Sequence, residues 1–391
     1  MPPKKEIKKH PRSDSPPSTD SEAPDKKAKV PRATATVIGN RTEGPLTRSP
    51  EVLSCLNEKK TEKQIWEAVT PFVRRTKDSE FNPAEMYKFG TWNVMSLRGL
   101  LRKNESALRD LLHKERFDIF CLQETKLNPG DAGNETLGVV EGYSFVDHPC
   151  AAKNGYSGTR TYVKNDRVRD ALGARHARGL QVNPTSEGAG DAEGRVLTTW
   201  LSPPSSAAAG PTIAVVNTYI PNSGMKLDRL AYRVEDFDQK IRQYLQEVDQ
   251  LCVQNAKDLA GKAKADAAEP FAGFIWTGDL NVAQCDFDRF FGGNWKTMQQ
   301  CACFTPEERW SFRDTLSATK SVDAFRYLYP NAAPVYTFWS MRFNGRSRGM
   351  GWRLDYFVLP QRLARRVVDC YAMPEVMGSD HCPVQLWLKK Q

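Results

Sequence analysis

No phenylalanine, tyrosine or tryptophan precedes Trp66, so a hydrophobic core can form only in the later part of the chain. Residues 1–65 are rich in Pro, Ser, Thr, Lys and Glu, a composition that buries too little apolar surface to offset chain entropy. From Phe81 onward large apolar residues are dense, over a length sufficient for one large α/β domain. We therefore predict a disordered tail over residues 1–65, a lead-in segment over 66–84 and one folded domain over 85–391.

Positive charge is concentrated near the start of the chain. Residues 1–40 hold nine Lys or Arg against five Asp or Glu, which places +4 of the formal net charge of +9 there. The basic residues form two clusters, at 4–9 and 26–29, separated by a spacer rich in Pro, Ser and acidic residues. Two such clusters are typical of a nuclear import signal, and the alternative is a solvated polar tail. The pattern predicts a nuclear protein, and the basic balance is compatible with a polyanionic partner.

The chain has nine cysteines, no apolar leader and no apolar run of about 18 residues, which favours a reducing compartment and no membrane span. Cys301 and Cys303 are too close for a C-x₂-C half-site and have no second His or Cys pair nearby, so we expect no structural zinc. Cys55, Cys150 and Cys285 are candidates for redox-sensitive thiols. No feature around them indicates a reactive thiolate, and we expect them to be unreactive.

Apolar runs with strand-like composition alternate with a few helical patterns. The predicted strands are Tyr87–Val94, Phe117–Gln123, Val139–Asp147, Tyr156–Val163, Arg195–Leu201, Thr212–Ile220, Gly273–Gly278, Trp352–Leu359, Arg366–Ala372 and Pro383–Leu388. The predicted helices are Leu97–Lys114, Leu227–Asn255 and Pro306–Thr319, with a further lead-in helix over 58–80. Many strands with few helices favour a four-layer α/β sandwich, in which two packed mixed β-sheets are flanked by helices. Asp166–Glu193 and Lys257–Pro270 are predicted surface insertions.

Polar side chains that suit catalysis follow six of the predicted strands or lead into them. They are Asn93, Glu124, Asn217, Tyr219, Asp279, Asn281, Asp355, Asp380 and His381. One polar residue at a strand end is usually a cap or a turn former, but six such strand ends in one chain indicate a site.

These residue types suit hydrolysis of a phosphodiester. Mg²⁺ uses one or two carboxylates together with waters and substrate phosphate, and Glu124 is a candidate for such a ligand. Asp279 is a candidate for the group that takes a proton from water, with Asn281 orienting the water or a phosphate oxygen. His381, held by Asp355, can stabilise a phosphoryl oxygen as charge builds.

The order of the motifs is more specific than any one of them. They are Trp92-Asn93-Val94, Leu122-Gln123-Glu124-Thr125-Lys126, Gly155-Tyr156-Ser157-Gly158, Asn217-Thr218-Tyr219-Ile220-Pro221-Asn222, Gly278-Asp279-Leu280-Asn281-Val282-Ala283, Thr337-Phe338-Trp339, Gly351-Trp352-Arg353-Leu354-Asp355-Tyr356-Phe357 and Gly378-Ser379-Asp380-His381-Cys382-Pro383. Over residues 85–391 this set resembles the exonuclease III family of abasic-site endonucleases, within the DNase-I-like endonuclease/exonuclease/phosphatase superfamily. Phe338-Trp339 followed by the Trp352 motif narrows the resemblance to the abasic-site branch.

The resemblance implies a Mg²⁺-dependent enzyme, with Mn²⁺ as a possible substitute, that cuts double-stranded DNA 5′ to an abasic site and leaves a 3′-hydroxyl in base excision repair. A 3′-phosphodiesterase or 3′-5′ exonuclease side activity and a monomeric state are also implied. The implied metal ligands are Glu124 and Asp380. The implied catalytic residues are Asn93, Tyr219, Asp279, Asn281, Asp355 and His381. The implied DNA or phosphate contacts are Tyr156, Asn222, Met225 and Arg342, and the implied walls of the abasic-sugar pocket are Phe338, Trp352 and Leu354.

The chain departs from the family pattern at the metal neighbourhood and in the groove-inserting loops. Met95 stands where many relatives have Asp, which removes one carboxylate. Met225 stands where some relatives have an Arg that reaches into the DNA groove, and Arg342 occupies the second groove-inserting position. We expect looser metal binding and quicker product release from the two methionines, with Arg342 able to compensate.

Two other functions are compatible with parts of the pattern. The first is another nuclease, or a lipid or inositol phosphatase, of the same superfamily, and Phe338, Trp352 and Leu354 argue against it. The second is a nucleic-acid-binding protein with an inactive phosphodiesterase domain. The presence of the implied metal ligand and catalytic groups argues against that function.

Overall fold

The computed structural model describes residues 60–67, 69–169, 173–182, 190–202, 211–260 and 271–390. The two basic clusters, Cys55 and parts of both predicted insertions lie outside the described residues. No helix in these ranges is long and apolar enough to cross a membrane.

Two six-stranded mixed sheets form the centre of the domain. The first contains β1 (Met86–Asn93), β2 (Ile119–Gln123), β3 (Tyr143–His148), β4 (Thr159–Lys164), β13 (Val367–Ala372) and β14 (Val384–Lys389), in the order β13-β14-β1-β2-β4-β3. The second contains β5 (Arg175–Arg178), β6 (Val196–Leu201), β7 (Ile213–Tyr219), β8 (Gly273–Asp279), β9 (Ser321–Asp323) and β12 (Asp355–Pro360), in the order β5-β6-β7-β8-β12-β9. Each sheet has one parallel pair, β1 with β2 and β7 with β8, and its other pairs are antiparallel.

Helices and short turns complete the fold. The α-helices are α1 (Glu62–Glu67), α2 (Leu97–Lys103), α3 (Ala107–Glu115), α4 (Asp238–Ala260), α5 (Trp295–Met298), α6 (Pro306–Ala318), α7 (Ala324–Leu328) and α8 (Gln361–Ala364). Short 3₁₀ or π turns lie at Asp78–Glu80, Asn165–Arg169, Tyr232–Phe237, Asp286–Asp288 and Met341–Phe343. A separate two-stranded ribbon pairs β10 (Phe338–Trp339) with β11 (Gly351–Trp352).

Alternation along the strands explains the layers. Phe89, Val215 and Ile275 belong to the core between the two sheets. The outer face of the first sheet presents Trp92 and its neighbours to α2 and α3. The outer face of the second sheet presents Trp276 and its neighbours to α4. Because strand side chains alternate between faces, each sheet buries apolar residues on both sides, and the predicted four-layer sandwich is confirmed.

Several predicted elements have different boundaries in the structure. The predicted helix Leu97–Lys114 is two helices, because the chain turns at Asn104 and restarts at Ala107. The predicted strand Trp352–Leu359 divides after Trp352, where β11 ends, and resumes as β12. The predicted insertion Asp166–Glu193 contributes β5, an edge strand paired with β6. The two strand differences arise from pairing with distant strands, which local periodicity does not report, whereas the helix is divided because the backbone is extended at Asn104.

Within the predicted lead-in helix, the described residues form α1 near its start and a short 3₁₀ turn at Asp78–Glu80. The predicted helix over 58–80 is wrong for most of its length, because α1 ends at Glu67 and Thr70 pairs with Ala332 as an isolated bridge. Ile65 is only 4% exposed and belongs to an apolar cluster with Leu354 and Phe304. The folded region therefore begins earlier than the predicted tail boundary at residue 65.

A buried carboxylate ties the loops below the site together. Asp288 accepts hydrogen bonds from Arg353 Nε and Nη2, both at 2.8 Å, and from Arg326. Arg353 also forms an ion pair with Asp323 at 2.7 Å. Burial alone would raise the pKa of Asp288, but the two guanidinium groups outweigh it and hold that pKa far below its usual range.

Replacing Asp288 should therefore cost much stability. We expect Asp288→Asn to lower the free energy of unfolding by about 3–5 kcal/mol, because it leaves buried arginines without their shared anion. A carboxylate with a lowered folded pKa stabilises the fold above its unfolded pKa of about 3.9, and this contribution is lost as pH falls through the folded value. Urea unfolding at pH 7 and pH 3 measures both effects. An Asp288→Asn variant as stable as the unmodified protein at pH 7 would contradict this role.

Candidate active site

Three neighbouring strands of the second sheet place acidic and phenolic groups side by side. Tyr219 is in register with Asp279 across the parallel β7–β8 pair, and Asp355 is in register with Asp279 across the antiparallel β8–β12 pair. From the first sheet, Asn93 ends β1 and Glu124 follows β2. The ends of both sheets therefore meet at one edge of the sandwich, where the sequence predicts the site.

Asn93 links the two sheets at this edge. Its Nδ2 donates to Glu124 Oε1 at 3.0 Å and to Asp279 Oδ2 at 2.9 Å. Its Oδ1 accepts from the backbone amide of Met95 at 2.9 Å. The amide is fully buried, so this side chain fixes the spacing between the two carboxylates.

Glu124 is held in an ionised state. Burial alone would raise its pKa, but Lys126, whose ammonium lies 3.0 Å from Oε2, and the Asn93 amide outweigh burial and lower it. The Tyr219 hydroxyl lies within hydrogen-bonding reach of the same carboxylate. Lys126 is a residue of the site to which the sequence reasoning gave no role, although it follows Glu124 closely in the Glu-Thr-Lys motif.

Asp279 lies at the bottom of the site and is 1% exposed. Besides Asn93, the backbone amide of Asn281 donates to its Oδ1 at 2.9 Å. Burial, reinforced by Asp355 and Glu124, raises the pKa of Asp279 to about 7, despite the opposing effect of His381. A carboxylate with a pKa in this range is suited to accept a proton near neutral pH.

His381 forms a dyad with Asp355. Its Nδ1 lies 2.8 Å from Asp355 Oδ2, and its Nε2 lies 3.8 Å from Asp279 Oδ2. Burial alone would lower its pKa, but the Asp355 and Asp279 carboxylates raise it to about 10. The imidazole is therefore a cation at neutral pH, next to a cleft that can admit a phosphate.

A cleft of about 420 Å³ opens over these groups. Its lining residues are Glu124, Tyr219, Asn222, Met225, Asp279, Asn281, Gln300, Cys301, Ala302, Cys303, Phe338, Trp352, Leu354, Asp380 and His381. Of the fifteen residues to which the family resemblance gives a role, eleven line this cleft. A twelfth, Asn93, adjoins it through its hydrogen bond to Asp279. The lining combines acidic and polar groups with an apolar wall of Phe338, Trp352 and Leu354, which belong to one apolar cluster.

Asn222 belongs to the lining, whereas Asp355, Tyr156 and Arg342 do not. Asn222 donates to Asn281 Oδ1 at 2.8 Å, which joins the β7 end to the Asp279 loop. The Tyr156 hydroxyl is not part of the lining, and it accepts from Arg195 at 2.8 Å. Arg195 also lies 4.7 Å from the Tyr219 ring centroid. Tyr156 therefore reaches the site through Arg195, which the sequence reasoning did not select.

Met225 and Arg342 are neighbours in space although they are far apart in the chain. Met225 is 86% exposed at the rim of the cleft, and Arg342 Nη1 lies 3.6 Å from its sulfur. A cation therefore stands beside the position at which the chain has Met225 in place of the Arg of some relatives. This arrangement is compatible with compensation between the two loops.

The donor set around Glu124 fits some metal ions and not others. Within the described ranges, no three His, Cys, Asp or Glu side chains are arranged to enclose a metal. Glu124 and Asp380 both line the open cleft, where water and phosphate have access. This set fits a hard cation that keeps most of its water and uses one or two carboxylates, as Mg²⁺ does, and it does not fit four-coordinate zinc.

The fold and this cleft define the class of the protein. A family model for the Endonuclease/Exonuclease/phosphatase family matches residues 90–381, and the chain belongs to that family. It is 34% identical over 302 residues to a DNA-(apurinic or apyrimidinic site) endonuclease of Dictyostelium discoideum, covering 76% of this chain and 69% of that protein. It is also 34% identical over 301 residues to an exodeoxyribonuclease of Bacillus subtilis, covering 76% of this chain and 98% of that protein.

A solved structure indicates to which group within this family the chain belongs. The AP endonuclease of Leishmania major superposes with a TM-score of 0.79 at 57% sequence identity, covering 88% of this chain and all of that one. The chain therefore belongs with the apurinic/apyrimidinic endonucleases, and the resemblance drawn from the ordered motifs is confirmed.

Proposed function

We propose that this protein hydrolyses the phosphodiester on the 5′ side of an abasic site in double-stranded DNA and leaves a 3′-hydroxyl. The observation that carries the proposal is the composition of the cleft. Carboxylates and an imidazolium line it together with Phe338, Trp352 and Leu354, which belong to one apolar cluster. An abasic sugar is the nucleotide that costs least to extrude from the helix, and a compact pocket excludes one that still carries its base.

Asp279 is the proposed base for the attacking water. It takes one proton while the water oxygen bonds to phosphorus. The bond from phosphorus to the 3′-oxygen of the upstream nucleotide breaks, and this oxygen leaves with the electron pair and takes a proton from solvent to become the 3′-hydroxyl. Asn93 and Asn281 hold the carboxylate at 2.9 Å through Nδ2 and the backbone amide, respectively. The pKa of about 7 makes this carboxylate an effective acceptor at neutral pH.

His381 is the proposed stabiliser of the negative charge that develops on the phosphoryl oxygens. Its raised pKa keeps it cationic, and Asp355 fixes the ring through Nδ1 so that Nε2 faces the cleft. Tyr219 and Asn222, at the end of β7 and just beyond it, are proposed phosphate contacts. Tyr156 is proposed to support this edge through Arg195.

Glu124, with Asp380, is the proposed ligand for Mg²⁺. When bound, the ion supplies Lewis-acid polarisation of the phosphoryl group. Incision should be abolished by EDTA, and Glu124→Gln should raise the Mg²⁺ concentration for half-maximal rate by more than about ten-fold. Initial rates over a Mg²⁺ titration measure both effects.

Glu135→Gln is the matched control for this prediction, because Glu135 is exposed and lies outside the cleft lining. That variant should titrate with Mg²⁺ like the unmodified enzyme. Undiminished cutting in EDTA would rule out the metal requirement.

Arg342 is the proposed contact with the DNA groove. It takes the role of the arginine that some relatives have at the position of Met225. Arg342→Met should reduce the slope of log affinity against log salt by about one unit, the effect of losing one phosphate contact. The double exchange Met225→Arg with Arg342→Met should restore the slope, because the two side chains occupy neighbouring space. Binding to an abasic duplex in EDTA at four salt concentrations measures it. An unchanged slope in Arg342→Met would show that this arginine touches no phosphate.

Other features of the function are proposed on broader grounds. The paired basic clusters in residues 1–40 support action in the nucleus, as part of base excision repair. The similarity to an exodeoxyribonuclease supports a 3′-5′ exonuclease or 3′-phosphodiesterase side activity. We propose that the enzyme acts as a monomer on DNA.

The chemistry of the cut strand tests the proposed reaction. A labelled duplex with one tetrahydrofuran abasic analogue should give an upstream fragment that a DNA polymerase extends directly, because hydrolysis leaves a 3′-hydroxyl. A fragment that cannot be extended without prior end repair would show that the proposed reaction is wrong.

A further inference from the structure

Arg289 is a buried cation with an unusual partner. It is 6% exposed, and its Nε has no hydrogen-bond partner among the described residues. Its Nη1 donates to the carbonyl of Met298 at 3.0 Å, and its Nη2 lies 3.7 Å from the sulfur of Cys301. Burial lowers the pKa of Arg289, as expected for a cation whose charge is poorly compensated.

Arg289 differs from the other deeply buried arginines in having no carboxylate partner among the described residues. Each of the others forms an ion pair with a carboxylate: Arg160, Arg195, Arg233, Arg309 and Arg353. Within the described part of the chain, no carboxylate pairs with Arg289. A buried charge without a counter-charge is costly, and the polar side chain hydrogen-bonded to this guanidinium is Cys301, whose thiol also donates to the carbonyl of Thr297 at 3.3 Å.

Cys301 also differs from the other thiols. Burial raises the pKa of Cys121 and Cys285 to about 12, and it raises those of Cys252, Cys303, Cys370 and Cys382 as well. Cys150 is fully buried. Cys285 and Cys301 are both partly exposed, but Cys301 lines the cleft, between its open space and Arg289, whereas Cys285 lies outside the lining. A thiol that is both accessible and next to a cation is the environment in which cysteines react.

We propose that Cys301 is a modification site that controls entry to the abasic-sugar pocket, and that its reagent is a small peroxide. The sulfur, as the thiolate, attacks one peroxide oxygen. A sulfur–oxygen bond forms, the oxygen–oxygen bond breaks, and hydroxide leaves with the electron pair of that bond. Sulfur is oxidised by two electrons while the peroxide is reduced, and the product is a sulfenic acid, which gives its proton to the hydroxide to form a sulfenate and water. The inhibitory effect of this modification rests on the proposed function, whereas the reactivity of the thiol does not.

The geometry explains why this oxidation would affect the pocket. The added oxygen enlarges the cleft wall next to Ala302 and brings a negative charge into a space that must admit a phosphodiester. Arg289 also lies 4.2 Å from the ring centroid of Trp352, another residue of the pocket wall. A sulfenate that pairs with Arg289 therefore changes the lining at Cys301 and also affects the guanidinium that packs on Trp352. Cys301 was not singled out from the sequence as a reactive thiol, because Arg289 is brought to it only by the fold.

Mapping of oxidation by mass spectrometry tests the reactivity directly. The full-length enzyme is treated with hydrogen peroxide, and sulfenates are trapped with dimedone. Trapping at Cys301 should be faster than at Cys285, and an abasic duplex bound in EDTA should slow it. Equal or slower trapping at Cys301 would overturn the proposal, and this readout does not depend on any enzymatic activity.

Substitutions test the consequence and the role of the cation. Peroxide should inactivate the unmodified enzyme and Cys285→Ser in step with trapping, and dithiothreitol should restore both. The treated-to-untreated rate ratio of Cys301→Ser should stay near one. Arg289→Met should slow trapping at Cys301 by roughly ten-fold, and Arg289→Lys should slow it less. If peroxide lowers the activity of Cys301→Ser in the same proportion as that of the unmodified enzyme, the proposal is overturned. So would an Arg289→Met variant that binds DNA weakly but reacts with peroxide at the normal rate, since Arg289 would then serve a phosphate.

Discussion

Asp279→Asn should lower the single-turnover rate of incision by about 10²–10⁴ while leaving affinity for abasic DNA nearly unchanged. The substitution keeps the size of the side chain but removes its ability to take a proton from water. It also places an amide against three donors, two from Asn281 and one from Asn93. Thermal unfolding should therefore be measured alongside the rate, so that a catalytic loss is separated from a loss of folded protein.

Asp110→Asn is the matched control, because Asp110 is exposed on α3 and lies outside the cleft lining. It should keep the unmodified rate. An Asp279→Asn enzyme that is folded, binds abasic DNA and cuts at the unmodified rate would remove Asp279 from the chemical step.

His381→Asn is expected to cause a loss of similar size, about 10²–10⁴ in single-turnover rate. The reason is different, because the variant can still activate water but lacks the cation that faces the phosphate. It also leaves Asp355 without its partner at 2.8 Å, in a position that is 2% exposed. Rates and binding should be compared with those of His113→Asn, a control at an exposed histidine on α3. A normal rate in His381→Asn would show that the dyad is structural.

Much of the site could be predicted because its residues occupy strand ends. Periodicity located β1, β2, β7 and β8, and their polar termini meet since each sheet places a parallel pair at its centre. The ordered motifs then assigned Glu124, Asp279 and His381 to one cleft, and the structure brings them together.

What could not be predicted depends on contacts between distant parts of the chain. The proximity of Met225 to Arg342 joins two loops that are 117 residues apart. The burial of Ile65 in one apolar cluster with Leu354 brings the end of the predicted tail against the pocket wall, although its composition is that of a tail. Local patterns contain no information on such pairs, because the same polar or apolar residue is compatible with an exposed or a buried position.

The contacts of Arg353 also could not be predicted, although this residue lies within one of the ordered motifs. The sequence places it between two residues of the proposed pocket wall, Trp352 and Leu354, which indicates a role in the site. In the structure it is 2% exposed and binds Asp288 and Asp323, on the side away from the cleft lining. A motif identifies the site, but only the fold separates the residues that face the substrate from those that hold the loop.

Selection of a nucleotide without a base by the cleft is tested most directly by the ratio of two incision rates. Single-turnover rates should be measured in Mg²⁺ on two duplexes of the same sequence, one with a tetrahydrofuran residue and one intact. We expect rapid incision 5′ to the tetrahydrofuran and a rate at the same position of the intact duplex that is lower by at least about 10³, since a normal base must be unstacked and then fails to fit. Equal rates on the two duplexes would contradict this selection and would identify a general nuclease.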